Sequence, residues 1–169
     1  MEKKIKRIVL HWTGGTYKPN SVDLKHYHFL IDDKGKVFKG EFSVNSNFVC
    51  KEDEKGNPLY AAHCGGGNTG AIGIAFCGML GYKNFQDVGK YPLKKEQIEK
   101  GCEFIAKFCD KYFLNISSVQ THYEFGLANP QTSSKGKIDI VYLPPFPLFK
   151  ANEIGDFLRS KIRWYYDRL

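Results

Sequence analysis

The sequence predicts one mixed α/β domain, a central sheet of about five strands with helices on its faces. Three observations predict it. Short β-branched and apolar runs recur from residue 5 to residue 121. Two longer segments, 94–112 and 152–168, repeat apolar residues at helical spacing. The length, 169 residues, suits one ordinary domain, with no internal repeat or composition shift to mark a second. We read residues 1–169 as one domain, its core about 5–145 and its C-terminal amphipathic helix about 152–168. A chain of this size buries roughly 70% of its unfolded surface, so it needs neither disulfides nor a structural metal.

Residues 5–11 alternate and are β-branched, which predicts a strand ending at His11. Thr13-Gly14-Gly15-Thr16 turns the chain, and 19–25 is a loop with room for one helical turn. Residues 26–31 predict a second strand. Asp33-Lys34-Gly35-Lys36 is a hairpin turn, and 37–40 the returning strand. The charge run 51–58 is a solvated loop tip. Ala61 to Asn68 is short-chained and glycine-rich, and 71–77 is apolar throughout, as a central buried strand is.

Ile98, Cys102, Ile105, Cys109 and Tyr112 predict a helix, with Glu96 and Glu99 near its start and Lys107 and Lys111 near its end to suit the dipole. Val119 to Thr121 predicts a strand ending at His122, followed by a polar loop. Asn152 is the expected N-cap of the last helix, with Glu153 behind it. Ile154, Phe157, Leu158, Ile162 and Tyr165 form its apolar stripe. Arg159, Lys161, Arg163 and Arg168 fall on the other face, so the helix either packs on the sheet or binds a membrane surface.

The formal charge is +7 with a pI of about 9.1, which favours anionic partners: nucleic acid, anionic lipid or a wall polymer. The basic residues are scattered, without an RNA-recognition motif, zinc finger or helix-turn-helix, so no nucleic-acid partner is expected. Five cysteines without a C-x-x-C suit a reducing compartment, and Cys102 and Cys109 share a helix face as core residues. Ile8-Val9-Leu10 is too short for a signal peptide's apolar region, and no run of about 18 apolar residues predicts membrane insertion. The expectation is cytoplasmic synthesis as a monomer, with something else delivering the protein to any target outside.

The chemistry gathers on 121–139, which carries His122, Lys137 and Asp139. His11, on a distant strand, supplies the missing third ligand. Two imidazoles and a carboxylate leave the fourth position of a tetrahedral zinc open, as catalytic sites require. Spacing alone is a weak signal, because five histidines offer many such triples and a lone buried histidine is commonly just hydrogen-bonded.

Five local segments, in order, resemble one family. Val9-Leu10-His11-Trp12-Thr13 looks like the first ligand strand of the zinc-dependent N-acetylmuramoyl-L-alanine amidases, which include T7-type phage lysozymes and peptidoglycan recognition proteins. Tyr27-His28-Phe29-Leu30-Ile31 with Asp32-Asp33-Lys34-Gly35-Lys36-Val37 resembles the family hairpin. Ala62-His63 and Asn68-Thr69-Gly70-Ala71-Ile72-Gly73-Ile74 resemble its next segment. Gln97 sits where the family helix has a glutamine. Thr121-His122 and Gly136-Lys137-Ile138-Asp139 resemble the second and third ligand segments.

The resemblance implies a Zn2+ enzyme that hydrolyses the amide between N-acetylmuramic acid and L-alanine of peptidoglycan. His11, His122 and Asp139 would hold the metal. Lys137 would face the oxyanion, and Tyr27 would assist the attacking water. Some branches carry a glutamate base in the strand after Ile-Gly-Ile; here Ala75 stands there, leaving the role to Tyr27 with Glu124 as a reserve. His63 resembles a groove-lining histidine, or is structural. Asn68 either caps its turn or contacts peptide. Trp12, Tyr17 and Phe125 either stack on sugar or pack in the core. His26 and His28 flank Tyr27, so strand alternation sends both to the opposite face and away from the metal, with His28 available as a supporting hydrogen-bond partner.

The expected partner is peptidoglycan or its muropeptides, and the expected role is that of a phage or prophage endolysin acting on the wall after release. Other readings are a non-catalytic peptidoglycan-binding module of the same fold, a cysteine hydrolase built on Cys64, and a DNA-binding protein supported by charge alone.

Overall fold

The computed structural model describes residues 4–169; the charged start, Met1-Glu2-Lys3, lies outside the described residues. Five strands form one mixed sheet in the order β3-β2-β4-β1-β5. These are β1 (Arg7–Trp12), β2 (Phe29–Ile31), β3 (Val37–Lys39), β4 (Ala71–Phe76) and β5 (Val119–Thr121). β4 lies at the centre, parallel to both β1 and β2, and β1 is parallel to β5. Only the β2–β3 hairpin is antiparallel; its turn is held by Asp32 Oδ1, which accepts from Lys34 N at 3.0 Å and Lys36 N at 2.8 Å.

The two faces of the sheet differ by side-chain size, because alternate residues point to opposite faces. Ile8, Leu10 and Trp12 of β1 and Ile72, Ile74 and Phe76 of β4 enter the main core. Against that face pack α2 (Lys95–Lys111) and α4 (Ala151–Tyr166), bringing in Ile98, Cys102, Ile105, Cys109, Ile154, Leu158 and Ile162. The other face of β4 carries only Ala71, Gly73 and Ala75. That run of small residues leaves room above the sheet for ring side chains and a cleft. Gln97, fully buried on α2, donates from Nε2 to Ile31 O at 2.9 Å and Cys77 O at 2.8 Å, fastening the helix to two strand ends.

The structure corrects several expectations. Within the stretch read as loop with room for one turn, a six-residue helix forms, α1 (Ser21–His26), because Asn20 and Asp23 form a reciprocal capping box. The second strand is therefore only Phe29–Ile31. His26 closes a helix instead of alternating along a strand, and it lines the same cleft as Tyr27. His122 opens a second short helix, α3 (His122–Ala128), where a loop was expected; Thr121 and Glu124 cap it reciprocally.

The last helix is capped at Lys150, whose backbone N–H donates to Glu153 Oε1 at 2.9 Å, so Asn152 lies inside the first turn. Its basic face is partly engaged: Arg159 pairs with Glu124, and Lys161 with Glu99. α4 thus packs on the domain by both its apolar stripe and its charges. Among the described residues, no helix is long and apolar enough to cross a membrane.

Candidate metal centre

β1 ends at the cleft. Alternation sends Trp12 into the main core, where its ring packs against Tyr82 with centroids 4.9 Å apart, and sends His11 to the opposite face. His11 is buried and pairs in register with Ala75 of β4. His122 reaches the same point from the first position of α3. Asp139 comes from a turn closed by Val141 N donating to Ile138 O at 3.2 Å.

That turn carries strain. Ile140 has φ of 60°, a left-handed conformation that costs a β-branched residue on the order of 1–3 kcal/mol. Full burial of the Ile140 side chain in the main core holds it there, and the reversal directs Asp139 back into the cleft. No turn residue such as glycine announces this conformation in the sequence.

The three ligand candidates converge. One atom from each of His11, His122 and Asp139 lies within 4.8 Å of the other two. His11 Nδ1 is 2.7 Å from Asp139 Oδ2, and His122 Nδ1 is 3.1 Å from Asp139 Oδ1. The imidazole centroids are 4.7 Å apart. Burial pulls the His11 pKa below its usual value despite the carboxylate beside it. Burial, the largest single influence, acts the same way on His122, but the hydrogen bonds and charges of Asp139 and Cys64 together outweigh it and push that pKa up to about 9. The Asp139 carboxyl, although largely shielded from solvent, is held well below the ordinary range by its hydrogen bonds to the two rings.

The donor set fits a divalent metal of zinc type: two imidazoles, one carboxylate and a side open to the cleft. The support behind His122 fits as well. Ser134, fully buried, donates its Oγ–H to Gly65 O at 2.7 Å. Its oxygen is then the acceptor for His122 Nε2–H at 3.0 Å, so Nδ1, which faces Asp139, is the nitrogen free to give up its proton to a metal. Nothing in the sequence singled out Ser134; its contribution depends on the 121–139 segment folding back over Gly65 and Gly126.

The other candidate residues divide. Tyr27 lines the cleft with its ring 5.1 Å from His11. Burial, then the nearby Asp139 and Asp23 charges, push its phenol far above its usual pKa, so it is a hydrogen-bond donor and not a base. Lys137 is exposed at the rim of the same cleft. His63 is buried at the cleft floor, 3.0 Å from His11.

Asn68 does not line the cleft. Its Oδ1 accepts from His63 N at 3.0 Å and Cys64 N at 2.9 Å, so it caps the glycine-rich turn. His28 is buried, 2.9 Å from Asn47 Oδ1 through Nε2 and accepting from Gly73 N at 3.0 Å through Nδ1, away from the ligands. Phe125 packs with Val9, Cys64 and Ala71 in a small core cluster, and Tyr17 donates to Pro92 O at 2.9 Å.

Glu124 is fully committed elsewhere, which removes it as a reserve base. Its Oε1 accepts from Thr121 N at 2.9 Å and Arg159 Nη1 at 2.9 Å, and its Oε2 from Arg159 Nη2 at 2.8 Å.

Comparison with known proteins bears on the fold and the family. No curated protein sequence matches the chain. Among solved structures, the N-acetylmuramoyl-L-alanine amidase LysC from Clostridium intestinale URNW superposes with a TM-score of 0.54 at 16% identity, covering 94% of this chain and 85% of that one. The structure of PlyL gives 0.53 at 18% identity, covering 94% and 84%. The Ph2119 endolysin from the Thermus scotoductus MAT2119 bacteriophage gives 0.52 at 14%, covering 95% and 86%. These likenesses establish the fold. The family model described as N-acetylmuramoyl-L-alanine amidase matches residues 1–138, a span that holds His11, Tyr27, His122 and Lys137 and stops one residue short of Asp139. The chain belongs to the Amidase_2 family of N-acetylmuramoyl-L-alanine amidases.

Proposed function

We propose that this protein is a zinc-dependent hydrolase that cleaves the amide between N-acetylmuramic acid and the L-alanine of peptidoglycan, acting on the bacterial wall as a lytic amidase of the endolysin kind. The observation that carries the reading is the meeting of His11, His122 and Asp139 at the floor of one cleft with Lys137 at its rim. Membership of the family supports the reaction class.

His11, His122 and Asp139 would hold the zinc. Zinc held there supplies Lewis acidity, polarising a carbonyl and lowering the pKa of water to roughly 7. Lys137 places a cation on the open side, where charge develops on the carbonyl oxygen during attack; a donor of this kind contributes about 2.7–4 kcal/mol. The neutral Tyr27 phenol donates a hydrogen bond and orients water or the carbonyl. Ala75, the strand partner of His11, brings no carboxylate to the position where some branches hold a base. The walls of Tyr27, Ile138 and Gly14 bound the space in which the amide lies.

Metal analysis of the purified protein, beside mass spectrometry of muropeptides digested with and without chelator, tests the reading. Stoichiometric zinc and release of free stem peptide from the lactyl group are expected. Binding of muropeptide without cleavage in the presence of zinc would leave a recognition module and defeat the enzyme reading.

A further inference from the structure

His63 sits behind His11 in an unusual setting. Its ring packs closely on Gly73 of β4: a Cβ built on Gly73 would fall 2.6 Å from His63 Cγ and 2.7 Å from Cδ2. Glycine at 73 is therefore what lets the imidazole reach the sheet. Both ring nitrogens are engaged. Nδ1 lies 3.0 Å from His11 Nε2, and Nε2 lies 3.3 Å from the carbonyl oxygen of Ala71. The backbone of His63 is itself held by the Asn68 side chain.

The directions of these bonds follow from chemistry. A carbonyl oxygen only accepts, so His63 Nε2 carries a proton and donates to Ala71 O. A neutral imidazole has one proton, so His63 Nδ1 is a lone pair. The group facing it, His11 Nε2, must then donate. Once a metal takes the place of the proton that His11 Nδ1 shares with Asp139, Nδ1 is bare, and Nδ1 is the atom directed at Asp139 and His122. The requirement also runs the other way. A metal-ligating nitrogen must be deprotonated, so the proton of His11 has to sit on Nε2 and needs an acceptor. Among the described residues, His63 Nδ1 is its hydrogen-bond partner.

We infer that His63 is a positioning residue of the metal centre: with Ala71 O behind it and Gly73 beneath it, it fixes the His11 tautomer that presents Nδ1 to zinc. This rests on the metal reading proposed above, and it takes His63 out of direct substrate recognition. Ser134 and Gly65 O do the same for His122, so each imidazole ligand traces back to one backbone carbonyl.

The test is zinc affinity, read by competition with a chromophoric chelator, in the wild type, His63→Ala, His63→Asn and Gly73→Ala. His63→Ala is expected to bind zinc about 10–100-fold more weakly. His63→Asn, whose amide oxygen replaces the Nδ1 acceptor, recovers most of the loss. Gly73→Ala, which displaces the ring without touching its chemistry, weakens binding in the same direction. Unchanged zinc affinity in His63→Ala with a raised KM for muropeptide overturns the inference in favour of substrate contact. Equal losses in His63→Ala and His63→Asn also overturn it.

If the alanine variant does not fold, the wild type decides. Long-range 1H–15N spectra of the zinc-loaded protein should show His63 protonated at Nε2 and bare at Nδ1. The opposite tautomer refutes the assignment. A wild type that binds no zinc at all defeats the metal reading itself, an outcome separate from any of these.

Discussion

Arg159→Ala tests how strongly the C-terminal helix stabilises the helix that carries His122. Arg159, on α4, grips Glu124 of α3 with both guanidinium branches at 2.8 and 2.9 Å and also donates to Val119 O at 2.9 Å. One amino acid thus ties the last helix to the start of β5 and to the helix that His122 opens. Gly155 makes room for the fork, since a Cβ there would overlap the Glu124 carboxylate. Hydrogen bonds to charged partners are each worth about 1.5–3 kcal/mol when well protected. The two side chains are 21% and 28% exposed, so solvent screens part of that. A net loss of about 2 kcal/mol is expected, and at roughly 2–4 °C per kcal/mol for a chain of this size the melting temperature falls by roughly 4–8 °C.

Calorimetry of the metal-free protein measures it. Asp156→Ala serves as the control, because Asp156 is 85% exposed and its bond to the same arginine should contribute within about 0.5 kcal/mol. Arg159→Lys keeps the charge but loses the fork, and should recover less than half of the loss. A double-mutant cycle with Glu124→Gln should show coupling of about 1 kcal/mol or more. An unchanged melting temperature in Arg159→Ala, or equal effects of the Arg159 and Asp156 variants, would refute the reasoning.

His11→Ala, His122→Ala and Asp139→Ala are each expected to lose bound zinc and muropeptide cleavage together, read by metal analysis and product mass spectrometry. Lys137→Ala should keep its zinc while kcat falls about 10²–10³-fold; full activity would remove the oxyanion role. The buried His28 is held neutral, its pKa lowered to about 4 by burial. The unfolded chain therefore binds the extra proton first, and stability should fall as pH drops from about 6.5 toward 4, which urea titrations at several pH values would show. In the metal-free protein His122 keeps its second proton up to about pH 9, so zinc affinity should rise with pH and level off near there in a chelator titration. The charge of +7 predicts weaker adsorption to intact wall at higher salt, measurable by sedimentation.

The sequence by itself determined the parts whose physics is local. The apolar periods of α2 and α4 survive folding because each helix buries one consistent face, and the apolar runs of β1 and β4 because both faces of the central sheet are covered. The hairpin is encoded by Asp32 and Gly35, which hold its turn. His11, His122 and Asp139 stand out as ligand types at element ends, and the five ordered segments tie them to one family. Two helices are also written locally, in the capping boxes Asn20–Asp23 and Thr121–Glu124, yet hydropathy alone reads them as loop because their apolar faces are too short to show a period.

Only the tertiary structure decided which groups meet. Ser134, His63 and the carbonyls of Gly65 and Ala71 come from segments distant in the chain, and a backbone carbonyl leaves no mark on a sequence. Glu124 resembles a spare catalytic carboxylate until Arg159, thirty-five positions away, engages both its oxygens. Ile140 resembles an ordinary core residue until its left-handed φ turns Asp139 toward the imidazoles. Candidate ligands follow from residue type and local pattern. Ligand geometry, and the proton on the far side of each ring, depend on contacts that exist only once the chain has closed on itself.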